Sequence, residues 1–557
     1  MKKHNTFKVV LGALLVFAIL SWIIPAAYFQ GTLQDQGRVQ AGLFDVFNYS
    51  LTSLSYFGHY GLYLIFVGGL YGVLNKIPAY RNLLDAMVNK VYGKEKVVLS
   101  VIMVLFAIIV SVYGAEIEML LFVPFLVSFI LMMGFDKMVA AFAVAGSSLV
   151  GITGYTYAFG KLSVLLSTLG LDINSDVYVK AMILLVGLVL LIFNTLVYIS
   201  KNDTTKITEI KADKKEDAKV EDKKVAVKVE TKSAAKATEK KTTKKTTKKS
   251  ETTKKAGSKT TTKKTTTKTT AKKATTSKAS RKDNKAAAKD DGVIVVKTNL
   301  KDEVNAFIPA PVEVKQKIWP MVLVLVLATV LVLMAFFPWS SSFALDWFEV
   351  ASQKVAEFEL FGFPLFGKLF GTYQAFGGWQ CYDLFFPLTF FILILALIYK
   401  VKLSDVIEGF GEGAKRGLAP AGIIFVIYTI LVLVTYHPFQ ATIYEAVLGL
   451  SKGFNIVTTA IVALLAGLFN GDVSYAFQSV IPYYVTVVTN TDYYSTIAVL
   501  FQTMYGVVMF VAPTSVILMT TLAYLDIPYT KWLTNIWKFV VELLAIILIV
   551  IVILVLL

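Results

Sequence analysis

Apolar and polar positions alternate along this chain on a coarse scale: long hydrophobic runs are separated by short polar or basic stretches. Lys2, Lys3 and Lys8 precede an apolar run from Val9 to Tyr28. That run is longer than a signal-peptide core and further spans follow, so a retained first helix with a cytoplasmic N-terminus is predicted. Residues 30–56 read as an outside loop and 60–75 as the return, with Gly68, Gly69 and Gly72 allowing close helix packing. Lys76, Arg81, Lys90, Lys94 and Lys96 place 76–96 in the cytoplasm, and 80–91 within it is amphipathic and lies along the surface. Two apolar legs, 97–112 and 119–133, flank a tip at Gly114. Legs of about 15 residues reach roughly 22 Å, short of the roughly 30 Å hydrocarbon core, so 97–133 is predicted to be a re-entrant hairpin. A broken helix over 138–170 and a span over 178–199 follow. The second half reads as a span at 318–338, an outside segment 339–382 with interfacial Trp339, Trp347 and Trp379, and a span at 383–400. An amphipathic stretch 403–416, an extra span 418–436, a hairpin 454–488, a broken helix 495–524 and a last span 536–557 complete it.

The interruptions are the informative part. Between Gly467 and Tyr529 an otherwise apolar stretch is broken at Phe469-Asn470-Gly471-Asp472-Val473-Ser474 and again at Pro513-Thr514-Ser515. Such breaks leave backbone groups unpaired, which costs several kcal/mol each in lipid unless protein, water or a solute satisfies them. A kinked packing helix explains one break; two breaks, one carrying an acid, point to broken helices facing a polar cavity. The first half holds a faint copy. From tip glycine to the next proline is 10 residues at Gly114–Pro124 and 11 at Gly471–Pro482; to the following loop aspartate it is 22 at Asp136 and 21 at Asp492. The next helix ends at Leu-Asp-Ile both times, around Asp172 and Asp526, with Gly151, Thr153 and Gly154 in its middle in one copy and Pro513, Thr514 and Ser515 in the other. These matches in register imply an internal repeat of hairpin plus broken helix. The extra span 418–436 flips the second copy, so the fold class expected is an all-α polytopic membrane protein of two inverted repeats.

Composition changes this picture in one place. The chain has 557 residues, is 56% hydrophobic and carries a formal charge of +17, with a mean hydropathy of +0.64. Residues 201–317 hold 34 basic and 16 acidic residues, and the remainder 21 and 22, so the basicity belongs to one insert. That insert has no aromatic residue before Phe307 and a Lys/Thr/Ala-rich middle. It cannot bury enough apolar surface to offset chain entropy, so 201–317 is predicted to be a disordered cytoplasmic segment between membrane halves 1–200 and 318–557. Cys381 is the only cysteine, and His4, His59 and His437 are far apart, which excludes a disulfide framework and a His-rich metal site. Gly154 to Lys161 misses the phosphate-loop spacing, and no HExxH or GxSxG occurs, so no enzyme is expected.

Several stretches carry a family resemblance: FKVVLGALLVFAILSWIIPAAYF at the start, YLIFVGGLYGVLNK at 63–76, MGFD at 133–136, LSDVIEGFGEGAKRGLAPAGI at 403–423 and VAPTSVILMTTLAYLDIPYTKW at 511–532. In these the chain resembles the YfcC/DcuC-like carriers of the ion-transporter superfamily. The resemblance implies a bacterial inner-membrane secondary transporter of four-carbon dicarboxylates or basic amino acids, with solute held near the midplane. Two departures stand out. Gly154-Tyr155-Thr156-Tyr157-Ala158-Phe159-Gly160 occupies the place where the family commonly has an Asn-Pro pair, and Ile117 separates Glu116 from Glu118 where adjacent acids are usual.

The candidate solute and ion residues are Gly114, Glu116, Glu118, Thr153, Gly154, Thr156, Lys161, Asn470, Gly471, Asp472, Ser474, Pro513, Thr514 and Ser515. A charge at the bilayer centre costs about 2.5–3.5 kcal/mol on insertion scales, so tip acids imply a compensating ion, solute or base. Lys161 can pair with the acids or bind a carboxylate, and the hydroxyls of Thr153, Ser474, Thr514 and Ser515 are hard ligands suited to sodium. The alternative for each hydroxyl is helix capping, for the acids a shallow, solvated tip, for Lys161 a surface position, and for His437 a loop at the membrane surface. Three acids facing one lysine favour an amino acid or small peptide over a four-carbon dicarboxylate. A remote alternative is a membrane anchor with a polyanion-binding insert. No cofactor is expected, and the coupling ion is sodium or a proton. The expected partners are a small solute, the bilayer and, weakly through the insert, anionic lipid or nucleic acid; a homodimer is left open. Replacing residues 210–305 with a shorter Gly/Ser segment is expected to leave uptake near the parent rate, because loop length carries a weak entropic cost. Loss of uptake with normal membrane insertion would contradict this.

Overall fold

The computed structural model describes residues 5–30, 32–202, 307–371 and 374–556. All of them belong to one unit comprising 1–206 and 297–557. The apolar runs become helices because a helix pairs its backbone internally, the only open-chain way to cross a lipid core. In the first half these are α1 (Asn5–Ile23), α2 (Leu43–Asn75), α3 (Pro78–Val91) and α4 (Glu95–Tyr113). They continue with α5 (Glu118–Met132), α6 (Lys137–Thr153), α7 (Phe159–Leu169) and α8 (Val177–Asn202). The second half contains α9 (Trp319–Phe336), α10 (Trp347–Glu357), α11 (Cys381–Ile398), α12 (Leu403–Tyr436) and α13 (Phe439–Leu448). It ends with α14 (Ile456–Phe469), α15 (Val473–Val487), α16 (Tyr494–Met509), α17 (Val516–Tyr524) and α18 (Tyr529–Leu556). Among the described residues eight helices are long and apolar enough to cross a membrane: α1, α2, α4, α8, α9, α11, α12 and α18. The sheets among them are two small antiparallel hairpins, Ala26–Gln30 with Thr32–Gly37 and Glu359–Leu360 with Phe363–Pro364. The protein is an all-α polytopic membrane protein.

A crossing of α2 and α12 forms the scaffold, and glycines set how close it is. A Cβ at Gly72 would meet the Gly409 carbonyl oxygen at 2.0 Å, and one at Gly413 would meet that of Gly68 at 2.1 Å. Gly417 faces the Leu64 carbonyl and Gly61 faces Ala421, so the two helices run antiparallel, backbone on backbone. Lys76 closes one end through Glu408 (3.6 Å) and Glu412 (2.9 Å). The hairpins and broken helices pack around this pair: α4 against the last turns of α6, and α14 against α16.

Several expectations are corrected here. Residues 43–59 are helix, not loop: α2 starts at Leu43, where Asp45 accepts from the Gly42 N–H at 2.7 Å. Leu43, Phe44, Phe47, Leu51 and Leu54 stay exposed on it, an apolar face hidden in sequence among Asn, Ser and Thr. The first hairpin leg, α4, has 19 residues and is long enough to span, unlike α14 with 14 and α15 with 15. Residues 403–416 and 418–436 are not two elements but one 34-residue helix running through Pro420, held straight by its packing on α2. His437 lies between α12 and α13, and its side chain is buried, with its ring bonded to Tyr49 Oη (2.8 Å) and the Val39 carbonyl (2.7 Å). The segment 339–382 contains α10, two short helical turns and a β-hairpin. Of the predicted disordered insert 201–317, residues 203–306 lie outside the described residues; in 307–317 Phe307 and Pro309 are buried, while most of the others are exposed.

The scaffold generates a direct test. Gly413→Val must push two backbones apart, and overpacking of this kind typically costs 1–3 kcal/mol. A clear fall in the melting temperature of the purified protein is expected, whereas Gly411→Val, whose Cβ meets nothing within 4 Å, is expected to leave it unchanged. Equal effects at both positions would contradict the crossing.

Candidate functional site

Each broken helix rests on the tip of its own hairpin. In the first half, α4 ends at Gly114, whose positive φ of 65° turns the chain. A Cβ there would meet Ala158 Cβ at 2.9 Å and Lys161 Cγ at 3.0 Å, so only glycine lets the tip approach the break. Ser111 Oγ donates to the Gly154 carbonyl (2.6 Å) and lies 3.1 Å from Thr156 Oγ1, while the Thr156 N–H donates to the Ser111 carbonyl (3.0 Å). In the second half, Gly471 sits so close to the second break that a Cβ would meet the Thr514 carbonyl at 2.0 Å. Thr514 Oγ1 donates to the Leu468 carbonyl (2.9 Å) and Tyr505 Oη to that of Gly471 (3.1 Å).

The two breaks also touch each other. Gly506 of α16 packs on Thr153, with 2.3 Å left for a Cβ against its Cα, and Gln502 Nε2 donates to the Tyr155 carbonyl (2.7 Å). Since 506 meets 153 and 502 meets 155, the broken helices run antiparallel. Further along, α17 contacts the π-helical turn Phe142–Gly146 of α6, as the same direction requires. Five carbonyls at the breaks are met by side-chain donors. Gly154 is served by Ser111, Tyr155 by Gln502 and Tyr157 by Ser342 Oγ (2.8 Å). Phe510 is served by Trp532 Nε1 (2.9 Å) and Val511 by the Tyr529 hydroxyl.

At this meeting point the charged candidates converge. Glu116 is buried and accepts a short hydrogen bond from the Tyr155 hydroxyl. Glu118 and Asp472 are half-buried. Lys161 interacts electrostatically with Glu116, Asp472, Glu118 and Tyr60. It does so without a direct ion pair; the direct ion pairs among the described residues are those of Lys76 and Arg81. Asp472 Oδ1 accepts from the N–H groups of Ser474 (2.9 Å) and Tyr475 (3.3 Å), capping α15. Three half-helices begin here, α7, α15 and α17, and present N-terminal N–H groups.

Other candidates hold the frame. Asn470 is buried and donates to the Ala466 carbonyl (3.2 Å), and Gly154 abuts Leu184. Pro513 lacks an N–H in the second break, and Ser515 stands at the start of α17. The hydroxyls of Thr153, bonded to the Leu149 carbonyl (2.8 Å), and Thr514 are occupied by backbone oxygens. The partners that sequence reasoning missed are Tyr60, Ser111, Tyr155, Ser342, Gln502, Tyr505, Tyr529 and Trp532. Tyr155 stood inside a stretch already singled out as a break; Ser111 and Gln502 gave no local signal, since they act on residues 43 and 347 positions away.

Comparison with known proteins adds the lineage. No curated protein and no solved structure matches the chain. The family described as DcuC, C4-dicarboxylate anaerobic carrier, matches over residues 4–240 and 298–557, both membrane halves together. With hairpin tips, interrupted helices and a charged cluster all inside the matched range, this chain belongs to the DcuC family of carriers.

Proposed function

We propose that the chain is an ion-coupled secondary transporter of a four-carbon dicarboxylate, working by alternating access in a bacterial cytoplasmic membrane. Its N-terminus and the insert face the cytoplasm in this reading. The observation that carries it is the family match across both halves, which favours the dicarboxylate over the amino acid or small peptide expected from charge alone.

The geometry supplies a physical route around the charge mismatch. Lys161 is not tied up in a direct ion pair, so its ammonium is free to meet a carboxylate at short range. The N-termini of α7, α15 and α17 add partial positive charge where the two broken helices meet. What remains uncompensated are Glu116, Glu118 and Asp472. A dianion enters beside them only if cations enter too, as protons on the acids or as sodium at their oxygens. Coupling is then a consequence of charge balance: the solute cannot be held without its ions.

Uptake of labelled succinate or fumarate into proteoliposomes, with and without proton and sodium gradients, tests this reading. The expected result is gradient-dependent uptake that excess lysine or arginine does not reduce. Lys161→Gln, Glu116→Gln and Asp472→Asn are each expected to lower it at least about tenfold, a loss of roughly 1.4 kcal/mol. Gln at 116 retains an acceptor for Tyr155 and Asn at 472 retains the cap, so charge alone changes. Amino-acid uptake untouched by dicarboxylates would overturn the substrate, and normal uptake by all three variants would overturn the site.

A further inference from the structure

We propose that Phe307-Ile308-Pro309 is a strap that shuts the cytoplasmic end of the solute route and must leave its seat in each transport cycle. The proposal rests on the carrier reading above. Phe307 is buried, 8% exposed, at a place where three site-bearing elements end. Ser128 of α5 donates through Oγ to its carbonyl (2.6 Å). Tyr524, the last residue of α17, meets its ring edge-on at 5.5 Å between centroids. Lys137, the first residue of α6, places its ammonium 4.7 Å over the same ring. One residue therefore bridges three elements at one end of the molecule: the second leg of the first hairpin through its carbonyl, and both broken helices through its ring.

The other side of the strap is anchored to an element that does not carry the site. Arg81 Nη1 of α3 donates to the Pro309 carbonyl (2.6 Å), Asn82 Nδ2 to that of Val314 (3.1 Å), and the Ala79 N–H to Gln316 Oε1 (3.1 Å). Above Phe307 lies a chamber of about 20 Å³, space for about one water. It is lined by Gly68 and Gly72 of α2, Arg416 of α12, Pro124 and Ser128 of α5, and Tyr524. The chamber separates the scaffold pair from the hairpin and the second broken helix, and Phe307 forms part of its wall. Opening the site toward this end requires these elements to part from the scaffold, and Phe307 cannot remain in contact with all three while they do. The chain just before it is the Lys/Thr-rich insert, so whatever holds the insert acts on the strap by direct covalent connection.

The test uses the full-length chain carrying Cys381→Ser, with two cysteine pairs bridged by a short bis-methanethiosulfonate reagent. Ser128→Cys with Phe307→Cys pins the strap in its seat. Asn82→Cys with Val314→Cys pins only its anchored end. Without bridging, both proteins are expected to take up succinate, and absence of uptake there would count against the carrier reading instead. With bridging, the 128–307 pair is expected to lose at least about tenfold in initial rate and recover on reduction, and the 82–314 pair to keep its rate. Equal uptake by bridged and reduced 128–307 protein, or equal losses in both pairs, would overturn the strap.

Discussion

A carbonyl freed at a helix break inside a membrane has no water to turn to, and leaving it unpaired costs several kcal/mol. Five such carbonyls, at Gly154, Tyr155, Tyr157, Phe510 and Val511, dictate much of what surrounds them. Their donors come from four elements: Ser111 on α4, Gln502 on α16, Ser342 in the turn after α9, and Tyr529 and Trp532 on α18. Gln502 and Ser342 reach from the second half to a break in the first, so the halves are interlocked through hydrogen bonds rather than through apolar contact alone. Of the N-terminal N–H groups that the same breaks release, two in α15 are capped by Asp472 itself.

Acids and helix N-termini therefore share one cluster. Glu116 is tied to Tyr155, and Tyr155 to Gln502 through its own carbonyl. The acid at one hairpin tip is thereby connected to the broken helix of the other half. Asp472 divides its roles between oxygens, since its two backbone bonds both go to Oδ1. In the proposed carrier, a cation arriving at these acids would change the charge of the cluster and with it the hydrogen bonds that join the halves.

Much of this was legible in the sequence because it was local. The glycine tips, the polar interruptions and the Leu-Asp-Ile ends mark hairpin and broken helix wherever they occur, and the spacing between Gly114 and Asp136 and between Gly471 and Asp492 reveals the repeat. Glu116 is buried, and Glu118, Lys161 and Asp472 interact electrostatically with one another in the same region. What was not legible depends on partners distant along the chain. Pro420 argues for a break, yet the backbone-on-backbone packing of α12 on α2 carries the helix through it. His437 follows the end of α12, and its burial depends on Tyr49 and Val39, both distant along the chain. Residues 307–317 are richer in Pro and apolar residues than the Lys/Thr middle of the insert, and Phe307, its first aromatic, is buried.

Opposed orientation of the two copies in one membrane is the central claim, and sided cysteine labelling measures it. Lys137 and Thr491 flank the equivalent loop aspartates, Asp136 and Asp492, that follow the first and second hairpins. With Cys381→Ser as background, Thr491→Cys should react with an impermeant maleimide added to intact cells, and Lys137→Cys should react only after the membrane is permeabilised. Labelling of both positions from the same side would contradict the account.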